Sequence, residues 1–210
     1  SVEGDGFPEA LVYDFHQLDQ ADAVPIGGDE VDNVVAVDGD GNVYGMDWGN
    51  ARVLKFASNG TFLTKWGSGG SGNGQFSNAR GLVADGQGNV YVADSANNRI
   101  QKFDARGSFL AKWGKDGAGP GQFKAPWGVA CDALGNVYVA DQGNHRIQKF
   151  DGNGTFICAW GNRGITEGQL NFPSGIAVDK EGNVYVVDSG NNRVLKYVPT
   201  EEEINRTQQA

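Results

Sequence analysis

The chain has 210 residues, a formal net charge of −9 at pH 7 and 33 glycines, a size that suits one large domain or two small ones. It contains no apolar run near the roughly 18 residues that a membrane helix requires, and no signal peptide is visible. The sequence therefore predicts no membrane span. Because it starts at Ser1, we expect that a methionine or a longer leader has been removed, or that the chain is a fragment.

The first 33 residues hold most of the negative charge. They contain nine acidic residues and no lysine or arginine, whereas residues 34–199 contain 14 acidic and 16 basic residues. The body of the chain is thus close to neutral. We interpret residues 1–33 as a solvated acidic segment, with a charge-steered docking arm as the alternative.

From residue 34 onwards the sequence repeats with a step of 47 residues, and no insertion or deletion breaks the register. The recurring positions hold aspartate (Asp38, Asp85, Asp132, Asp179), tyrosine (Tyr44, Tyr91, Tyr138, Tyr185), a second aspartate (Asp47, Asp94, Asp141, Asp188) and arginine (Arg52, Arg99, Arg146, Arg193). Four in-phase copies indicate a repeat architecture. The units span residues 34–80, 81–127, 128–174 and 175–198, and a polar tail occupies 199–210.

Each complete unit predicts four antiparallel strands. In the second unit these are residues 82–85, 90–94, 99–103 and 109–113, which are rich in β-branched and aromatic residues and are joined by glycine-containing turns. A long glycine-rich connection then leads to the next unit. One four-stranded sheet per roughly 40–50 residues is typical of a β-propeller blade, so the sequence predicts an all-β propeller.

The fourth unit lacks its last strand, because a proline and the polar tail follow Val198. A step of 47 residues back from Phe62 reaches Phe15, which lies in the strand-like stretch 11–18. We therefore expect residues 11–18 to supply the missing outer strand of the last blade. The match is degenerate, since Asp19 stands where the other units have tryptophan.

The shared pattern closely resembles the NHL repeat. It reads Gly-Val-Ala-x-Asp-x-x-Gly-Asn-Val-Tyr-Val-Ala-Asp-x-x-Asn-x-Arg-Ile-x-Lys-Phe. Residues 81–103 and 128–150 match this pattern nearly throughout, residues 175–197 match it well, and residues 34–56 match it more loosely. The resemblance covers about residues 34–198 and implies an NHL-type β-propeller. Such propellers commonly have six blades. With four units, this chain would form either a smaller closed propeller or part of a larger one, completed by a further segment or another chain.

The repeated polar residues are interpreted as framework. The pair Asp47/Arg52 and its three equivalents recur at one phase, so we expect them to tie adjacent blades together by charged hydrogen bonds. Residues 38–42 resemble the start of a calcium loop, but the other units lack its acidic pattern and a hairpin turn explains the stretch better. The sequence predicts no metal site, no catalytic residue and no cofactor.

The two cysteines are predicted to remain free. Cys131 and Cys158 fall on the first and fourth strands of one unit, which stand about 14 Å apart when neighbouring strands are spaced by about 4.8 Å. That separation is too large for a disulfide bond. We expect two largely buried thiols.

Because the shared residues satisfy the fold, we expect function where the copies differ. Those positions lie on loops that share one face around the mouth of the central channel, and they hold Trp48, Arg80, Trp127, Gln142 and His145. Each residue taken alone also fits local packing. Together they form a mixed aromatic and polar surface of the kind that binds partners, so the sequence predicts a binding face here.

Two Asn-Gly-Thr turns, at Asn59 and Asn153, fit the acceptor pattern for N-glycosylation. Asn-Gly also suits tight turns, so the pattern has a purely structural explanation as well. An extracellular or secreted location is slightly favoured.

The leading functional hypothesis is a non-enzymatic binding or assembly scaffold that presents one propeller face to a protein, peptide or glycan. The first alternative is a structural subunit of a larger extracellular or filamentous assembly, in which the chain associates with another chain or with further blades. Some NHL-like propellers resemble lyases that hold a metal by several histidines, but His16 and His145 alone cannot build a three-histidine zinc site. RNA binding would need a basic stripe, so nucleic acid is disfavoured as a partner.

Overall fold

The computed structural model describes residues 35–198, which form four antiparallel sheets in succession, here called blades 1 to 4. Blade 1 consists of β1 (Val35–Val37), β2 (Val43–Asp47), β3 (Arg52–Phe56) and β4 (Phe62–Trp66). The short strands β5 (Ser68–Gly69) and β6 (Gln75–Phe76) pair in parallel within the connection to blade 2. Blade 2 consists of β7 (Ala79–Ala84), β8 (Val90–Asp94), β9 (Arg99–Phe103) and β10 (Phe109–Trp113).

The second half of the chain repeats this arrangement. Blade 3 consists of β11 (Pro126–Cys131), β12 (Val137–Asp141), β13 (Arg146–Phe150) and β14 (Phe156–Trp160). Blade 4 consists of β15 (Pro173–Val178), β16 (Val184–Asp188) and β17 (Arg193–Tyr197). A single 3-10 turn follows the second strand of every blade: Trp48–Asn50, Ser95–Asn97, Gln142–Asn144 and Ser189–Asn191.

Consecutive strands within a blade pair as antiparallel hairpins, which confirms the predicted all-β blades. The first strand starts earlier than predicted, since β7 begins at Ala79, which pairs with Asp94. A register shift between Ala79 and Gly81 interrupts the strand, and such a bulge breaks the alternation of side chains between the two faces. The sequence pattern therefore hides the beginning of the strand.

A repeated aspartate holds the hairpin between the first and second strands. The buried Asp85 carboxylate accepts hydrogen bonds from the backbone N–H groups of Gln87 and Asn89, at 2.9 and 2.8 Å. It also accepts from Asn89 Nδ2 and from the Tyr91 hydroxyl. Residues 38–42 form the same turn in blade 1, so this stretch adopts the hairpin turn that the sequence favours.

In blades 2, 3 and 4 a second repeated aspartate joins the blade to the connection that precedes it. Asp94 is fully buried and accepts hydrogen bonds from the Ser77 N–H and from Arg99 Nε, both at 2.7 Å. It also accepts from the side chains of Asn97 and Gln101. The Arg99 guanidinium in turn donates to three backbone carbonyls of the connection. The expected tie between blades is thus indirect: the pair lies within one blade and holds the connection from the previous one.

Three apolar clusters fill the junctions between successive blades. The cluster between blades 1 and 2 contains Tyr44, Met46 and Val53 of blade 1 and Leu82, Val90, Val92 and Phe103 of blade 2. The other two junctions use the equivalent positions. The tryptophan that ends each outer strand packs on a ring of the next blade: Trp66 on Phe103, Trp113 on Phe150 and Trp160 on Tyr197, with centroids 5.7–5.9 Å apart. The core is therefore a series of similar interfaces.

The first strands of neighbouring blades touch along the inner edge of this arc, and glycines permit the contact. A Cβ on Gly81 would collide with the carbonyl oxygen of Trp127, and a Cβ on Gly128 would collide with that of Ser174. Both glycines face backbone, which cannot swing away as a side chain can. The blades are consequently held together at backbone distance along their inner strands.

Blade 4 has three strands among the described residues, and β17 is its edge strand. Residues 11–18, which we expect to add the fourth strand, lie outside the described residues. Cys131 in β11 and Cys158 in β14 form no disulfide bond, as predicted, but each is partly rather than largely buried.

Candidate functional site

Three of the predicted face residues stack on one another across three blades. The Arg80 guanidinium carbon lies 4.5 Å from the ring centroid of Trp127 and 5.5 Å from that of Trp48. Arg80 belongs to β7 and Trp127 to β11, and the close contact of these first strands at Gly81 brings the two side chains together. The result is a cation held between two aromatic rings, an arrangement that gains energy from the ring quadrupoles.

Trp48 is the most accessible member of this stack. It begins the 3-10 turn after β2, and 46% of it remains exposed. Its indole Nε1–H donates to Asn78 Oδ1 at 2.9 Å, which fixes the ring against the connection to blade 2. Arg80 and Trp127 are half-buried. The stack therefore offers a pre-ordered aromatic surface with a cation inside it, and ordering costs little on binding because the rings are already held.

Gln142 and His145 occupy the corresponding turn of blade 3. Gln142 begins that turn and is half-buried. His145 is buried: its Nδ1 accepts the Phe172 N–H at 3.1 Å, and its ring lies 4.5 Å from the Phe172 ring. The structure therefore assigns His145 a structural contact with blade 4 and does not bring it into the Trp48–Arg80–Trp127 stack.

The role of His145 is shared by the equivalent residue of blade 2. Asn98 Oδ1 accepts the Ala125 N–H at 2.8 Å, and both Asn98 and His145 adopt a left-handed backbone, with φ of 51° and 55°. Asparagine tolerates this conformation better than most residues. The repeated Asn at this position was the sequence feature that pointed to a structural role, and the histidine in one copy obscured it.

Burial lowers the pKa of His145 below its usual value, and the nearby charge of Arg163 adds to the effect. The fold therefore favours the neutral ring, and stability is lost as the pH falls below the unfolded-state pKa of about 6.5. We expect His145→Asn, which keeps an acceptor for the Phe172 N–H, to remove this loss between about pH 7 and 5.

Urea unfolding midpoints measured across this pH range test the prediction. His16 is the only other histidine, and it is present in both proteins, so its titration cancels in the comparison. Parallel pH profiles for the two proteins would show that His145 is not buried as a neutral group.

A cleft of about 630 Å³ lies beside β17, on the outer side of the junction between blades 3 and 4. Its walls include Ile157 and Trp160 of β14 and Tyr197 of β17. In blade 2 the corresponding place is taken by the fourth strand, where Phe109 packs 6.1 Å from Phe103. The cleft therefore lies where the other blades have their outer strand, apart from the aromatic stack.

The two glycosylation candidates lie on equivalent turns of blades 1 and 3. Asn59 and Asn153 are both exposed, between the third and fourth strands. Asn59 Oδ1 accepts the Thr61 N–H at 3.0 Å, as an asparagine in a tight turn does. Glycosylation of these residues stays a prediction.

Within residues 35–198 no group of three or more His, Cys, Asp or Glu side chains is placed to hold a metal ion. The same part of the chain contains no helix that is long and apolar enough to cross a membrane.

Comparison with known families settles the repeat type. The NHL repeat matches residues 76–103, 123–150 and 170–197. The first match runs from the last residue of β6 to the end of β9, the third strand of blade 2, and the other two cover the equivalent segments of blades 3 and 4. Blades 2, 3 and 4 are therefore NHL repeats. This NHL-repeat protein has no significant match among curated proteins.

Solved structures resemble the NHL-repeat protein in fold. A streptogramin B lyase structure aligns with a TM-score of 0.56 and 16% identity, over 80% of this chain and 54% of that chain. A nidogen/laminin complex aligns with a TM-score of 0.57 and 21% identity, over 78% and 58%. A protein of unknown function from Bacteroides caccae aligns with a TM-score of 0.52 and 15% identity, over 79% and 60%.

At these identities the similarity concerns the fold alone. The NHL-repeat protein spans only 54–60% of the length of each of these chains. The neighbours include both an enzyme and a protein–protein complex, so the fold is compatible with either kind of role.

Proposed function

We propose that this NHL-repeat protein is a non-enzymatic binding scaffold that takes a protein or peptide partner on the face formed by Trp48, Arg80 and Trp127. The observation that carries the proposal is the ordered stack of Arg80 between two tryptophan rings. Tryptophan and arginine dominate the binding energy of protein interfaces because they combine large contact area with polar groups. Here they come from three blades and converge on one surface.

The neighbouring polar groups support binding over catalysis. The His145 imidazole is engaged as an acceptor for a backbone N–H, and the Ser95 hydroxyl donates to the Pro126 carbonyl. A catalytic group must reach the reacting atom of its substrate. Both of these side chains are instead engaged with backbone groups of the protein, so neither presents a general base or a nucleophile to the face. The complex of nidogen with laminin is a fold neighbour, which gives a precedent for protein recognition on this fold.

A displayed random-peptide library selected on the immobilised chain provides the test. We expect the recovered peptides to lose at least about tenfold in affinity on Trp127→Ala and on Arg80→Ala, since truncation of such residues at the centre of an interface costs about 2 kcal/mol or more. Trp48→Ala, at a more exposed site, should give a smaller loss in the same direction.

Arg106→Ala serves as the matched control. Arg106 is exposed in the turn between β9 and β10, and it lies away from the Trp48–Arg80–Trp127 stack. Equal melting temperatures of the variants would exclude unfolding as the cause. Peptides that bind all four variants as tightly as the unchanged chain would refute the proposed face.

A further inference from the structure

One side of blade 4 exposes apolar residues that every other blade buries. Val194 is 63% exposed, whereas its equivalents Val53, Ile100 and Ile147 are 0% exposed. Val187 is 42% exposed, whereas its equivalents in the first three blades are at most 2% exposed. In blades 1 to 3 these positions lie in the cluster that packs against the following blade. Blade 4 therefore carries one uncovered half of the repeated junction.

Blade 1 exposes part of the opposite half. Val35 in β1 is 54% exposed, but its equivalents Leu82 and Val129 are 4% and 6% exposed because they pack against the preceding blade. Within the chain, Leu82 belongs to the same cluster as Met46 and Val53, and these are the equivalents of Val187 and Val194. The two exposed patches are thus the two sides of an interface that the chain builds three times internally.

Blade 4 also keeps the steric feature of that interface. Gly175 occupies the position of Gly81 and Gly128, whose missing Cβ atoms admit the backbone of the next first strand. Among residues 35–198 no such backbone lies against Gly175, where an added Cβ would meet the Val187 side chain. A glycine inside a strand often marks a site where another backbone approaches closely, as it does at Gly81 and Gly128.

Blade 4 also has the polar residues that form hydrogen bonds across the internal junctions. Lys55 and Lys102 each reach the following blade, where Nζ donates to a turn carbonyl at 3.0 and 2.9 Å. Lys196 takes the same position in blade 4 and is exposed. Asn98 accepts a backbone N–H from the following blade's connection, and Asn192 is its exposed, left-handed equivalent in blade 4. The uncovered side of blade 4 therefore carries polar and apolar residues at the same positions as the sides of blades 1 to 3 that pack against a following blade.

We infer that blade 4 of one chain binds blade 1 of a second copy of this chain, head to tail, through the Val187–Val194 and Val35 patches. A second copy fits because each chain presents both complementary patches, and neither patch covers the other in the same chain. An interface between different patches of identical chains closes into a ring or propagates as a filament, depending on the rotation between copies. This inference does not depend on the Trp48–Arg80–Trp127 face.

The molecular mass in solution is the first test. We expect sedimentation of the chain at about 100 μM to give species of at least twice 22.3 kDa. Val194→Asp should weaken the association at least about tenfold, because an unpaired carboxylate would be buried among apolar side chains. Leu110→Asp is the matched control, since Leu110 is also an exposed strand residue at 49% but lies outside the junction positions, and it should associate like the unchanged chain.

Gly175→Ala gives an independent variant on the same side. It should block association by filling the space for the incoming backbone, while its own neighbour is a side-chain methyl group that can move. A strict monomer for the unchanged chain, or equal association of Val194→Asp and Leu110→Asp, would overturn the inference.

Cross-linking of mixed single-cysteine variants identifies the faces. The background carries Cys131→Val and Cys158→Ala, which copy residues found at these positions in other units. A short bismaleimide should join Val35→Cys to Val194→Cys when the two proteins are mixed, and should join neither variant to itself. Equal cross-linking of each single variant to itself would contradict head-to-tail binding of a second copy. A variant that carries both Val35→Cys and Val194→Cys would also contradict it if, in dilute solution, it gave only a product cross-linked within one chain.

Discussion

Replacement of Gly128 by alanine is expected to destabilise the protein by about 3 kcal/mol or more. The new Cβ would collide with the Ser174 carbonyl across the junction of blades 3 and 4. Overpacking typically costs about 1–3 kcal/mol and occasionally more, and we expect the upper end here because the colliding group is backbone. For a chain of this size, such a loss lowers the melting temperature by roughly 6–12 °C. Urea unfolding followed by tryptophan fluorescence measures it directly.

Gly175→Ala is the matched control for this prediction. It makes the same chemical change at the same position of the next unit, but the Cβ meets only a methyl group of Val187, at 3.0 Å. Its effect on the unfolding midpoint at low protein concentration should be small. Equal destabilisation by the two substitutions would mean that backbone contact between first strands is not what makes the glycine necessary.

Loss of the Asp94 carboxylate is expected to have a similarly large effect. Asp94→Ala would remove the acceptor of the Ser77 N–H, of Arg99 and of Gln101, and would leave the Arg99 guanidinium buried without its carboxylate. Removing one partner of a buried ion pair costs about 3–5 kcal/mol. The connection between blades 1 and 2, which Arg99 and Asp94 hold, should exchange its amide hydrogens faster than in the unchanged chain.

Asp104→Ala separates this effect from the loss of any turn aspartate. Asp104 also accepts hydrogen bonds from two backbone N–H groups, those of Arg106 and Ser108, but these hydrogen bonds lie in an exposed turn. Its substitution should shift the unfolding midpoint much less than Asp94→Ala does. If both variants unfolded at the same urea concentration, the buried contacts of Asp94 would not be the source of its stabilisation.

The strands and hairpins were predictable because each rests on local chemistry that occurs four times. β-Branched and aromatic runs predict strands, and an aspartate followed by Gly-Asn predicts a tight turn, so the bounds of β8, β9 and β10 agree with the sequence. The start of β7 was not predictable, because a register shift interrupts the strand before Gly81, where the backbone of Trp127 from another blade lies close. Alternation along one strand carries no information about such a contact.

The candidate face was predictable in location but not in its internal contacts. The divergent positions of the units did bring Trp48, Arg80 and Trp127 onto one surface. The position of His145 differs between copies for another reason. Asn and His can both accept the equivalent backbone N–H, so the divergence there reflects interchangeable acceptors. Divergence between repeats indicates freedom from the shared pattern, and only the contacts show whether a side chain faces a partner.

The uninterrupted 47-residue step also governs how a chain of this design changes length. Removal of residues 82–128 would join Gly81 to Val129 and restore an ordinary junction, because the units are in phase. A deletion within the repeats whose length is not a multiple of 47 would put strand residues on the wrong face or separate the aspartates from their partners. Length therefore changes in whole blades. A duplicated blade adds its own copy of the divergent positions, on which selection can act at once without new framework residues.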